Sequence, residues 1–191
     1  MARHRIHDRE LLDALETIEP MEHRGPVWRV CRKGREPNRE STVVGRWSDG
    51  SFPVLYTSLE ADTCRAEVYF QVYRKQPVPP SKLRFGLHKL SIELTRTLRL
   101  LDTAQLESLG VVQDLFYAKR FNQVVRESYP KTQAIGAAAN FLGLDGLLVP
   151  SARVNGTNVV LLTDNIAPER EIAITNSEPC DLKAWGATKA E

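Results

Sequence analysis

Hydrophobic and polar positions alternate along this chain with two periods, and the switches between them mark out its elements. Residues 8–19 place Leu11, Leu12, Leu15 and Ile18 on one side of a helix that Pro20 ends, a face suited to a lid or an interface. Residues 27–31 (VWRVC) alternate as a strand, and the polar run 32–43, with Gly34 and Pro37, reads as a loop. A strand over 53–57 leads to Ser58, placed as the N-cap of a helix over 59–73. Pro77, Pro79 and Pro80 form a stiff connector. Strand patterns resume at 88–94 and 97–101, and helices are predicted over 113–128 and 132–142, the second rich in alanine with Gly136 allowing close packing. Residues 147–149, 158–162 and 172–174 supply the last strands, and the segment after Asn176 carries no pattern that assigns it. This order predicts an α+β fold with a mixed sheet flanked by helices.

At 191 residues and 42% hydrophobic content, the chain can bury one core, which runs from 27 to 176 behind an N-terminal extension over 1–26 and ahead of a tail over 177–191. No apolar run reaches the ~20 residues that cross a bilayer, and charges in MARHRIHDRELL interrupt any signal-peptide stretch, so a cytoplasmic location without membrane association is expected. Cys31, Cys64 and Cys180 are odd in number, widely spaced and without a CxxC pair, which points to reduced, packed thiols and no metal site. A net charge of +2 is too mild to argue for direct nucleic-acid binding. The charge is unevenly placed, however. Arg24, Arg29, Arg32, Lys33, Arg35, Arg39 and Arg46 gather ahead of residue 47, either as a solvated loop or as a field that draws in an anion.

The stretch GRWSDGSFPVLYTSLEADTCRAEVYFQVY, residues 45–73, sets Arg46, Tyr56 and Glu67 on three successive pieces of structure. An arginine fork grips phosphate oxygens, an aromatic ring stacks on a planar base, and a carboxylate holds a ribose hydroxyl while positive charge develops beside it. The combination suits a pyrophosphate-bearing nucleotide, NAD above all, with Glu67, Arg46 and Tyr56 as the catalytic group. Arg29, a charge inside a hydrophobic strand, needs a partner: either a carboxylate such as Glu67 or the ligand itself. Trp28 and Trp47 are candidates for pocket walls. Ser151, after Pro150 at a strand end, can reach a cleft and bond the substrate or Glu67. Neither His4, His7, His23 nor His88 sits in a motif that would support a Ser-His-Asp arrangement.

The GRW turn, LYTS, AEV, TQAIG at 132–136, DGLLVPSAR and NVVL occur in order between residues 27 and 165. Together they resemble the RES-domain family of toxins from toxin–antitoxin pairs. The arginine, glutamate and serine that name the family match Arg46, Glu67 and Ser151, whereas the contiguous Arg39-Glu40-Ser41 is coincidental. The resemblance implies a largely antiparallel sheet related to the diphtheria-toxin-like ADP-ribosyltransferases, opened by an NAD cleft. It also implies cleavage of the nicotinamide–ribose bond, with ADP-ribose passed to phosphate or water, or alternatively to a protein. NAD would be substrate, no metal would be needed, and Arg29, Arg46, Trp47, Tyr56, Ser151 and Asn158 would line its site, Asn158 fastening the loop after Ser151. A helix-turn-helix, Xre-type antitoxin would cover the cleft, in a hetero-oligomer with it or with the chain forming a homo-oligomer. Ser48 departs from the asparagine that often follows GRW in the family, and a serine cannot act as an amide there. A catalytically inactive nucleotide-binding module and an RNA-cleaving toxin are the competing classes; the second would need a metal-bound or histidine-acid cluster, and none is visible.

Overall fold

The computed structural model describes residues 7–74, 83–112 and 124–188, with residues 74 and 124–128 as backbone. Helix α1 (Arg9–Glu16) is capped by Asp8, whose carboxylate accepts the Glu10 N–H at 3.0 Å. Its apolar side is no lid. Leu15 is fully buried and Leu11, Leu12 and Ile18 pack against the main core beside α4 (Val124–Phe141). That helix continues through Pro130, so the predicted break between two helices is not there; residues 113–123 of the first lie outside the described residues, as do the three connector prolines.

Among the described residues, six strands form one sheet. They are β1 (Met21–Arg32), β2 (Val54–Ser58), β3 (Phe85–Arg99), β4 (Gly146–Pro150), β5 (Thr157–Leu162) and β6 (Ala173–Cys180). The order β1-β2-β5-β4-β3-β6, with β3 also pairing along β1, closes five strands on themselves and leaves β6 attached to the outside of β3. The β3–β4 pairing is parallel and the others are antiparallel. The fold is therefore mixed α+β as expected, with a closure that local periodicity gives no means of seeing.

Three clusters fill it. Val27, Leu55, Leu90, Ile92, Leu94, Leu148, Val159 and Leu161 pack as one. Because side chains alternate across a strand, the intervening Val54, Leu147, Val149, Val160 and Leu162 face the other way, against α1 and α4. Val30, Phe85 and Leu87 support helix α2 (Ala61–Tyr69), which widens into a π-turn over Phe70–Arg74. β3 runs straight through Thr95 and Arg96, where the polar residues had predicted a gap between strands. The buried Asp145 carboxylate accepts both their backbone N–H groups, at 2.6 and 3.0 Å, and so replaces sheet partners there.

The segment beyond Asn176 is also structured. β6 continues to Cys180, and α5 (Leu182–Ala187), capped by Asp181, lies on α2, with Trp185 against the Tyr69 ring and its indole N–H donated to Asp62 at 3.1 Å. A short α3 (Thr103–Ser108) follows β3.

Candidate functional site

Where β2 ends beside β5, the strand edges, α2 and the loop before β2 surround a cavity of about 370 Å³. That volume falls within the ~300–1,000 Å³ of ordinary ligand pockets. Among the described residues its wall carries Arg29, Arg35, Arg46 and Arg153 against a single acid, Glu67, which makes that wall strongly positive. A shallower hollow of about 650 Å³, lined by Gly34–Glu36 and Arg39–Thr42, adjoins it and shares Arg35 and Ser41. The arginine-rich segment thus divides: Arg29, Arg35 and Arg46 serve the cavity and Arg39 the hollow, while Arg24 pairs with Glu93 at 3.0 Å elsewhere.

Glu67 projects from the middle of α2, and the start of that helix is set by a clasp. Ser58 does not cap it; Glu60 occupies the N-cap position, and its Oε2 accepts Thr63 Oγ1 at 2.8 Å and the Thr157 N–H at 3.1 Å. Gly156 makes the clasp possible, since a Cβ there would come within 2.0 Å of Thr63 Oγ1. The carboxylate is then fixed at its far end. Glu67 Oε1 accepts Ser151 Oγ at 2.7 Å and Asn158 Nδ2 at 2.9 Å, and the Arg153 guanidinium stands 4.0 Å from Oε2.

Each partner is itself oriented. Ser58, at the end of β2, donates its hydroxyl to Asn158 Oδ1 at 2.8 Å, which turns the amide so that its NH₂ meets Glu67. Asn158 therefore orients the glutamate rather than fastening the loop after Ser151. Ser151 fastens that loop itself, accepting the Arg153 N–H at 3.1 Å and donating its own N–H to Gly156. At 2% exposure Ser151 lies behind Glu67, off the cavity wall, so of its two predicted partners the structure provides the glutamate. Arg153 is held flat on the Phe70 ring, 3.6 Å from its centroid, and burial lowers its pKa while Glu67 opposes that fall.

Arg46, Tyr56 and Glu67 do line one cavity. The Tyr56 hydroxyl accepts the Trp47 N–H at 3.0 Å, and burial pushes its pKa well above that of an ordinary phenol. Trp47 is buried in the main core and touches the cavity at its edge; Trp28 lies outside it, under Lys89. Ser48, standing where an asparagine was expected, is fully buried, and its hydroxyl accepts the Gly50 N–H at 3.1 Å, so it closes the turn without an amide.

Arg29 has no ion pair among the described residues. Its Nη2 donates weakly to the Arg39 carbonyl at 3.4 Å, while Nη1 is buried without a partner, and burial lowers its pKa, helped by Arg35. A desolvated guanidinium is costly unless an anion completes it, and the internal pair with Glu67 weighed from the sequence is not formed among the described residues. Cys64 shares this wall, its thiol raised to about 12 by burial; Cys31 and Cys180 are free as well. Sequence reasoning missed Arg153, Tyr129 and Ser58. Of these only Arg153, two residues after Ser151, had a signal. No cluster of three or more His, Cys, Asp or Glu able to hold a metal, and no helix long and apolar enough to cross a membrane, occurs among the described residues.

Residues 26–183 match the RES domain family. The chain belongs to that family. Its fold is similar to a chain in the crystal structure of the M. tuberculosis MbcT–MbcA toxin–antitoxin complex, with a TM-score of 0.75 and 21% identity over 96% of this chain and 99% of that one. No curated protein sequence matches it. Within this RES domain, the arginine, glutamate and serine singled out from the sequence do not play equivalent parts. Arg46 and Glu67 line the cavity, and Ser151 supports Glu67 from behind.

Proposed function

We propose that this RES-domain protein is the toxin of a toxin–antitoxin pair, that it acts in the cytoplasm, and that it consumes NAD in the cleft of an ADP-ribosyltransferase-like fold. The observation that carries the reading is one carboxylate, rigidly hydrogen-bonded on one oxygen, faced by four arginines among the described residues of the wall. A ligand for that wall has several negative charges and one place where a positive charge must be met, which describes a dinucleotide with a cationic base.

In this reading Arg29 and Arg46 hold the pyrophosphate as forked donors, and Tyr56 and Trp47 bound the nicotinamide ribose. The bond from the ribose anomeric carbon to the pyridinium nitrogen breaks, and neutral nicotinamide leaves with the electron pair. The sugar passes through an oxocarbenium-like state, as in glycoside hydrolysis, but because the leaving group is already cationic no strong general acid is required. Glu67 accepts a ribose hydroxyl and offsets the developing charge. Ser151 and Asn158 keep its carboxylate from swinging away, so little reorganisation is needed. An oxygen of phosphate or water then bonds the anomeric carbon; a phosphate dianion needs to lose no proton, whereas water releases one to the solvent. No residue in the wall is assigned to a metal. A helix-turn-helix antitoxin, carrying the DNA contacts, is proposed to cover the cavity, with a carboxylate-bearing segment facing Arg29 and Arg46.

Glu67→Gln tests the reading. The amide keeps the shape, so folding persists while NAD loss falls by about 10²–10³-fold. HPLC or NMR of the products with and without phosphate identifies the acceptor, and undiminished NAD turnover by a folded Glu67→Gln protein would remove the assigned chemistry.

A further inference from the structure

Four residues of α4, Tyr129, Thr132, Gln133 and Gly136, recur at the i, i+3, i+4, i+7 spacing of one helix face, and that face meets the Gly45-Arg46-Trp47 turn. The contacts fall on three consecutive carbonyls. Gln133 Nε2 donates to Gly45 O at 2.8 Å, and the fully buried Thr132 hydroxyl donates to Arg46 O at 2.5 Å. Trp47 O lies against Gly136, where a Cβ would sit 1.8 Å from it. From the opposite side, Gly45 N–H is donated to Ser48 O at 2.7 Å and Trp47 N–H to the Tyr56 hydroxyl. The turn is thus clamped on both edges. The Arg46 guanidinium lies over the Tyr129 ring, 5.1 Å from its centroid.

We infer that this stripe is a positioning device for Arg46: it sets the backbone from which the guanidinium reaches the cavity, and so governs ligand grip rather than the chemical step. Ordinary helix packing would be met by apolar side chains, as it is on the neighbouring face by Ile135, Ala138 and Ala139. Hydrogen bonds to successive carbonyls instead fix the rotation of each peptide plane, and with it the direction of the Arg46 side chain. The inference rests on the proposal that this cavity binds a polyanionic nucleotide.

Three variants of the full chain test it: Thr132→Val, which keeps the shape without the hydroxyl; Thr132→Ser, which keeps the hydroxyl; and Gly136→Ala. Two readouts are taken. Hydrogen exchange of the peptide covering residues 41–50 reports the turn without any ligand, and steady-state NAD loss separates KM from kcat. Thr132→Val and Gly136→Ala should speed exchange in that peptide and raise KM by roughly ten- to a hundredfold, the worth of one or two charge-assisted hydrogen bonds, with kcat little changed. Thr132→Ser should restore both. Unchanged exchange in Thr132→Val, or a fall in kcat at constant KM, overturns the inference even if Gly136→Ala fails to fold. If wild-type protein does not consume NAD, the functional reading fails while the exchange result still decides whether the stripe holds the turn.

Discussion

Asn158→Asp would place a second carboxylate where an amide now donates to Glu67 Oε1 at 2.9 Å, with almost no change in volume. Two unit charges at that separation repel by ~6 kcal/mol at an effective dielectric constant of ~20. Taking up a proton is the alternative, and for a carboxyl of ordinary pKa (about 3.9) it costs ~4 kcal/mol at pH 7 but only ~1.5 kcal/mol at pH 5. Protonation is therefore the smaller cost at either pH, and the introduced carboxyl is held protonated in the folded state over a range where the unfolded chain is ionised. The folded state binds more protons, so stability falls as pH rises. The variant should lose ~3 kcal/mol more than wild type between pH 5 and pH 7, a drop in melting temperature of roughly 6–12 °C for a chain of this size. Protonated at both pH values, the introduced carboxyl can still donate to Glu67, so NAD loss relative to wild type should change little between pH 5 and pH 7. Thermal melts and turnover at both pH values, with Asn158→Ala as the control lacking the new charge, measure this. A melting-temperature difference between Asn158→Asp and wild type that does not vary with pH would show that the amide and Glu67 are not in contact as described.

Two further outcomes follow from the cavity wall. Arg29→Met removes a buried guanidinium whose Nη1 has no partner, so the fold should be as stable as wild type or more so, while affinity for ADP-ribose falls roughly ten- to a hundredfold; melting curves and calorimetric titration would contradict this if stability dropped and affinity did not. Cys64, raised to about 12 by burial, exposes thiolate only as pH approaches that value, so iodoacetamide at pH 8 should label it after denaturation and not before, as peptide mass mapping would show.

Much of the site was legible because its chemistry is local. A guanidinium inside VWRVC is anomalous on any strand, and Gly45 to Tyr73 carries Arg46, Tyr56 and Glu67 within one turn-strand-helix passage whose spacing needs little long-range information. The TQAIG run could be seen, and its Gly136 read as a point of close approach, but nothing in it said which carbonyls lay opposite. The errors have physical causes too. Ser58 has the composition of a helix cap, yet two more residues of extended chain put its hydroxyl on Asn158 instead. Thr95 and Arg96 look like a strand break because they interrupt the hydrophobic pattern, and Asp145, about fifty residues away, accepts their N–H groups and carries the strand through.

By itself the sequence determined the α+β class, the alternation that builds the strands, the family and the residue types able to grip a nucleotide, since each depends on neighbours a few positions apart. Tertiary structure alone decided that the sheet closes through β1 and β3, that Ser151 backs Glu67 instead of facing the cavity, that Arg153 joins the wall, and that α4 holds the Arg46 turn. Those facts depend on which groups meet across about 50 to 90 residues of chain, and side-chain periodicity contains no record of such pairings.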